Sequence, residues 1–296
     1  MLNNNYNTIK NEYAVWLTTL GFSSGLVYDY KFRASDFLEW LETKNVNQIN
    51  IINQKHITQY FEYLQSRPNK RRTGALSTSH LNHNFMAIDK LLEYLHQMGM
   101  SQAPIPTNYR IKPDKDRRIK NIQPLTQEEI KALQINISNA FSDMPFIKRE
   151  AKQEQLKLIF ALYYGCGLRR NEGYKLTAND IDFDKKTIFI KQGKNYKDRI
   201  IPMNIGVCKA LEHYIYNFRN LQKVKHKRLF LSTTGTLNNS LQDLQKLTDI
   251  DKKITLHILR HSIATHLLQA GMSIESIALF LGHSSLESTQ IYTHLI

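Results

Sequence analysis

Apolar residues recur three and four positions apart along most of this chain, the spacing that gathers them on one face of a helix. Four such stretches are predicted over residues 6–100. The first runs from Tyr6 to Leu20 and stops at Gly21; the second runs from Gly25 to Thr43, with Tyr28, Phe32, Phe37, Leu38 and Leu41 as its stripe. The third spans Gln54–Ser66 around Ile57, Tyr60, Phe61 and Leu64. The fourth starts after Ser77 or Ser79, either of which can cap it, and carries Leu81, Phe85, Ile88, Leu92 and Leu95. The stripes are expected in the core of a helical bundle, residues 1–100 forming a first domain.

The helical pattern then breaks. Residues 101–123 hold three prolines, which disfavour helix, and Arg110, Lys112, Lys115, Arg117, Arg118 and Lys120 face only Asp114 and Asp116. This reads as a basic linker. A second domain is predicted over 124–296. Thr126 and Glu129 make a capping box for a helix to Asn136. A longer apolar helix, Glu150–Tyr164, ends at Gly165-Cys166-Gly167; LRRNEGYKL starts another, and ANDIDFDKK is a turn. The period then changes to two: KTIFIKQGKNYKDRIIPM alternates about Gly-Lys-Asn, the pattern of a β-hairpin. A helix over Gly206–Leu221 and a short strand over Leu229–Ser232 lead to the last forty residues, in which Gly271 separates two helices. The expected fold is mainly α with a small antiparallel β-sheet, in two domains.

Charge narrows the class of partner. Lys and Arg exceed Asp and Glu by 40 to 26, a net +14, which favours a polyanion without separating DNA from RNA or an anionic membrane surface. The basic turn Pro68–Gly74, with Lys70, Arg71 and Arg72, and the linker residues Lys112, Lys115, Arg117, Arg118 and Lys120 are candidate contacts to a nucleic-acid backbone. Cys166 and Cys208 cannot build a disulfide framework and match no zinc-ligand spacing. The N-terminus lacks the apolar core of a secretory signal, and no run approaches the ~18 apolar residues of a membrane span. A cytoplasmic, reduced protein with no membrane partner is expected.

The candidate chemistry lies in the second domain. A tyrosine can attack a phosphodiester, but its ordinary pKa is ~10, so it needs a base or cationic surroundings. Arginine forks suit the growing negative charge on the non-bridging oxygens, and a lysine or histidine suits protonation of the departing oxygen. The chain offers such a set. His257 and Arg260, three apart, are expected on one side of a helix, with Leu259, Ile263 and Leu267 turned to the core. Arg169 follows the Gly-Cys-Gly-Leu turn, Lys194 lies at the hairpin tip, and His283 and Tyr292 close the chain. His257 and His261 have a spacing that can bind zinc, but no third ligand is evident; His261 and His266 are expected to be supporting or structural.

Four segments resemble the tyrosine recombinases, close to the Xer type and the short integrases of mobile elements. GLRRNE (167–172) is similar to the family's first-arginine box, with Glu172 its structural glutamate, and GKNYKDRIIP (193–202) to its hairpin box. HILRHSIATHLL (257–268) and LGHSSLESTQIYTH (281–294) are similar to its last two boxes. The resemblance implies catalytic roles for Arg169, Lys194, His257, Arg260, His283 and Tyr292, and a helical DNA-binding domain at residues 1–100. It implies strand exchange on double-stranded DNA through a 3′-phosphotyrosyl link, without ATP or a metal cofactor. It further implies a homo-tetramer, or a pairing with a related recombinase, at synapsis, with accessory DNA-bending proteins as further partners. Mobile-element integration or excision and chromosome-dimer resolution both fit. Two rivals are a type IB topoisomerase, against which the small first domain argues, and a silent DNA-binding regulator, against which the full residue set argues. Four residues follow Tyr292 where the family usually adds a docking helix, so subunits are expected to meet through another surface unless the chain is truncated.

Overall fold

A computed structural model describes residues 2–69, 73–112, 122–191, 198–283 and 285–294. Contacts gather the chain into two compact units, Met1–Asp114 and Lys115–Ile296.

In the first unit, α1 (Asn4–Thr19), α2 (Ser24–Thr43), α3 (Gln54–Ser66) and α4 (Thr78–Gln97) follow the predicted stretches closely. Their starts are fixed by side chains that take orphan backbone N–H groups: Asn3 accepts from Tyr6, Asn53 from His56, and Ser77 from His80. One predicted stripe is right only at Phe37, Leu38 and Leu41. Tyr28 and Phe32 of α2 are 75% and 54% exposed, and the buried face is Tyr30, Arg33, Ala34, Phe37, Leu38, Trp40 and Leu41. At about 100° per residue, Tyr28 and Phe32 fall roughly 120° and 160° from the face centred on Ala34.

The first half of the expected linker is built into this unit. Buried Asp89 of α4 accepts from the Thr107 backbone N–H at 2.8 Å and from Arg110 at 2.7 Å. Asn82 exchanges two hydrogen bonds with the Ile111 backbone, and Ala103 and Ile111 pack on the core. Arg110 is thereby an ion-pair partner of Asp89, while Lys112 is exposed. Lys70, Arg71, Arg72, Lys115, Arg117, Arg118 and Lys120 lie outside the described residues.

The second unit opens with α5 (Gln127–Ile135), whose capping box joins Thr126 and Glu129. Next is α6 (Phe146–Ile159), starting four residues before the predicted Glu150. It runs into a π-helical turn, Phe160–Gly165, and then α7 (Arg170–Lys175). The sheet is antiparallel, in the order β1 (Ile181–Asp182), β2 (Thr187–Ile190), β3 (Arg199–Pro202), with Ile188 opposite Ile201 and Ile190 opposite Arg199. Its first strand lies where a turn was expected, since two residues are too short to show a period. Residues 192–197, Lys194 included, lie outside the described residues.

After α8 (Ile205–Asn217) the expected strand at Leu229–Ser232 is absent; a single bridge joins Thr177 and Arg228, and Leu229 and Phe230 are buried in the core. With no ladder beyond that bridge, their burial rests on apolar packing. An unforeseen helix follows, α9 (Thr234–Gln245), capped by Thr233; its polar composition conceals a narrow stripe of Leu237, Leu241 and Leu244. The chain closes with α10 (Leu256–Gln269), α11 (Ile274–Leu281) and α12 (Glu287–Gln290). Among the described residues no helix is long and apolar enough to cross a membrane.

Candidate active site

Arg169 is presented by a local change of helical pitch. Over Phe160–Gly165 the backbone adds a residue per turn, and the Cys166 N–H reaches back five residues to the Ala161 carbonyl. Gly167 then takes φ +58°, and a Cβ there would stand 2.8 Å from Leu281 Cδ2, so glycine is what lets this turn lie against α11. The Tyr164 hydroxyl, in the π turn, lies 2.9 Å from Nδ1 of His266 on α10. The turn is thus held from both sides, and Arg169 emerges at the start of α7.

Arg260 projects inward from α10 and is 2% exposed. It donates to the Gly167 carbonyl and, at 2.8 Å, to the Leu281 carbonyl. Arg169 donates to the next carbonyl, that of Gly282. Gly282 caps α11 at φ +66°, a left-handed position that suits glycine. Two guanidinium groups therefore meet at adjacent peptide units of one turn. Burial, then the Arg169 charge, brings the Arg260 pKa down to about 10, so it stays charged at neutral pH.

Tyr292 lies in a small apolar cluster with Ala264, Ile277 and Leu281 and is 2% exposed. Burial raises its pKa, and the charges of Arg260 and Arg169 pull it back part of the way. The His283 ring stacks with it at 6.4 Å between centroids, and His283 Nδ1 lies 2.7 Å from Thr289 Oγ1. The ring of His261 sits 5.5 Å from Tyr292 and 4.3 Å, edge-on, from His257. Burial, then the neighbouring His257 and Arg260, holds His261 down to about 3, leaving it neutral. His257 is exposed on the first turn of α10, and packing around its ring together with Arg260 and Arg170 also lowers its pKa. His257 and Arg260, three positions apart on α10, differ in exposure, one at the surface and the other buried, yet lie close enough for the Arg260 charge to act on the His257 ring.

Glu172 balances part of this charge. Its Oε1 accepts from Arg169 at 2.8 Å and Arg199 at 2.6 Å; its Oε2 accepts from the Arg169 backbone N–H at 2.8 Å and Arg199 at 2.8 Å. Although burial opposes ionisation, the hydrogen bonds and charge of Arg199, followed by the Arg169 donors, hold its pKa down to about 2. Three guanidinium groups against one carboxylate leave a local excess of positive charge, a setting that favours an anion. No cluster of three or more His, Cys, Asp or Glu side chains suited to a metal ion occurs among the described residues.

Residues 123–296 match the phage integrase family model. The chain belongs to the phage integrase family, and within it to the Xer-like tyrosine recombinases. Similar relatives include the tyrosine recombinase XerD of Bifidobacterium longum, 27% identical over 93% of this chain and 88% of that protein. XerD of Halalkalibacterium halodurans is 29% identical over 93% and 88%. XerC of Chlamydia trachomatis is 33% identical over 58% of this chain and 54% of that one. Among solved structures, XerH on a palindromic difH substrate shares the fold at TM-score 0.68, with 22% identity over 91% of this chain and 76% of that one. The Tn1549 transposon integrase on circular-intermediate DNA shares it at TM-score 0.65, with 18% identity over 96% and 94%.

In this Xer-like recombinase, Arg169, Arg260, His283 and Tyr292 gather around the Leu281–His283 turn, and His257 stands one ring away, behind His261. Arg199 and Thr289 escaped the sequence reading. Arg199 had a weak signal, a charge opening an apolar strand, whereas nothing local marked Thr289 as the partner of His283.

Proposed function

We propose that this recombinase cuts and rejoins double-stranded DNA at specific sites, with Tyr292 attacking the scissile phosphate. The convergence of Arg169 and Arg260 on one turn beside the Tyr292 ring supports this reading. A guanidinium has five N–H donors, and each of these arginines gives only some of them to backbone carbonyls or Glu172, so others remain for the non-bridging oxygens. Their charge offsets the negative charge that builds as phosphorus becomes five-coordinate. Attack forms the Tyr292 Oη–phosphorus bond and breaks the bond to the 5′-oxygen, giving a 3′-phosphotyrosyl link and a 5′-hydroxyl. His257, neutral at pH 7 through its lowered pKa, accepts or orients the tyrosine proton. His283 adds a hydrogen bond to the phosphate, and Lys194 protonates the 5′-oxygen. Rejoining reverses these steps with a second strand.

The same reading takes residues 1–100 as a DNA-binding domain and 124–296 as the catalytic domain. Four copies exchange strands between two sites, either alone or with a related recombinase, in the cytoplasm. DNA-bending proteins are expected accessories.

The test uses a suicide duplex, nicked beside a site the protein binds and labelled on one strand, incubated in EDTA. Wild type is expected to yield an SDS-resistant protein–DNA adduct, and Tyr292→Phe to bind equally well and yield none. An adduct with Tyr292→Phe would remove Tyr292 from the role of nucleophile.

A further inference from the structure

Arg199 is the one guanidinium of the cluster that the mechanism above leaves unused. It opens β3, paired with Ile190 of β2. Its two terminal nitrogens clasp both oxygens of Glu172, the two-point fit of a planar fork to a carboxylate. Its stem runs beneath Gly282: a Cβ on that glycine would stand 2.7 Å from Arg199 Cδ and 2.9 Å from Cζ. On the other side of the same turn, the Gly282 carbonyl receives Arg169. One side chain thus touches the carboxylate that aims Arg169 and the peptide that precedes His283.

We propose that Arg199 is a positioning residue for strand cleavage, locking Glu172, Arg169 and the Gly282–His283 turn into one unit anchored on β3. The proposal rests on the cleavage reading given above. Four donors saturate the Glu172 carboxylate, two from Arg169 and two from Arg199. Removing Arg199 leaves only the two from Arg169, and burial of Glu172 then favours its neutral form, which holds Arg169 less firmly. The turn loses the stem on which Gly282 rests. Both effects loosen groups that must meet one phosphate, and a displacement near 1 Å in such a site costs on the order of a hundredfold in rate. Lysine keeps the charge but cannot clasp both oxygens, so it is only a partial substitute.

The decisive experiment measures single-turnover cleavage of the suicide duplex from pH 5 to pH 8 for wild type, Arg199→Lys, Arg199→Met, Glu172→Gln and the Met/Gln double variant. DNA binding and the circular-dichroism spectrum of each variant are recorded in parallel. Arg199→Met is expected to bind DNA normally, to cleave at least ~10-fold slower at pH 7.5 and ~100-fold slower at pH 5.5. Its new acid limb should be absent from wild type and from the double variant, which lacks the titrating carboxylate. Arg199→Lys should fall between. The two single losses should not multiply in the double variant, because the residues act as a unit. A 13C titration of the Glu172 carboxyl, which needs no activity, should show its pKa raised in Arg199→Met; an unmoved value would overturn the proposal even if that variant cleaves poorly. Wild-type rates in Arg199→Met at every pH would overturn the Arg199 role alone, as would a pH-independent loss that multiplies with Glu172→Gln. A wild type that forms no adduct would overturn the cleavage reading beneath it.

Discussion

Replacing Glu172 by glutamine isolates how much of the catalytic unit's stability resides in one carboxylate. The side chain is 7% exposed, so solvent screening is slight. Its pKa falls from an ordinary 4.5 to about 2 in the fold. At 1.36 kcal/mol per unit, ionisation of Glu172 contributes about 3 kcal/mol to the folded state at pH 7. Because the folded value is the lower one, that stability is complete above pH 4.5 and is lost as pH falls through 2; about 2 kcal/mol of it is gone by pH 3. Glutamine also leaves Arg169 and Arg199 under-partnered beside buried Arg260, which acts in the same direction. For a unit of this size about 3 kcal/mol corresponds to a melting shift of roughly 6–12 °C.

The two tryptophans make the assay selective. Trp16 and Trp40 both belong to the Met1–Asp114 unit, so their fluorescence follows that unit while far-UV circular dichroism follows both. Glu172→Gln should lower the dichroism transition and leave the tryptophan transition in place, and its deficit should narrow from about 3 to about 1 kcal/mol between pH 7 and pH 3. A deficit that stays constant over that range, or a dichroism transition that does not move at pH 7, would refute the electrostatic account.

Gly282→Ala should slow cleavage at least tenfold, since it adds a left-handed strain of about 1–2 kcal/mol and a Cβ beneath which Arg199 cannot remain. Single-turnover cleavage with DNA binding as the control checks it, and an undiminished rate counts against the packed turn. Replacing Arg117 and Arg118 together by alanine should weaken DNA binding alike on all sequences and reduce the slope of log affinity against log salt by up to about 2. An unchanged slope removes both from the DNA backbone.

What the sequence disclosed divides by range. Helix starts were legible because Ser77 and Thr126 act within three residues of the N–H groups they cap. The motif residues were legible because their types and local spacings recur as blocks. The bonds that make those blocks a site were not: Glu172 meets Arg199 from 27 positions away, Arg260 reaches Gly167 across 93, and Arg169 reaches Gly282 across 113. In helix α2, Phe37, Leu38 and Leu41 were legible as core but Tyr28 and Phe32 were not, because aromatic residues occupy both of its faces. Helix α9 was overlooked because three leucines among polar residues make a thin stripe. The difference in burial between His257 and Arg260 needed the tertiary packing of α10, which a helical wheel does not contain.

The π turn before Arg169 fixes a length that the chain cannot shorten without loss. Within Phe160–Gly165 one residue is surplus to an ordinary α-helical ladder. Deleting it would let α6 run on with regular bonding, yet would rotate everything beyond by about 100° and carry Arg169 off the Gly282 turn. The surplus residue is in effect a shim: trimming it would unseat Gly167 from Leu281 and Leu168 from the core as well as misaim Arg169, so packing and the aim of that guanidinium together hold the length of this segment.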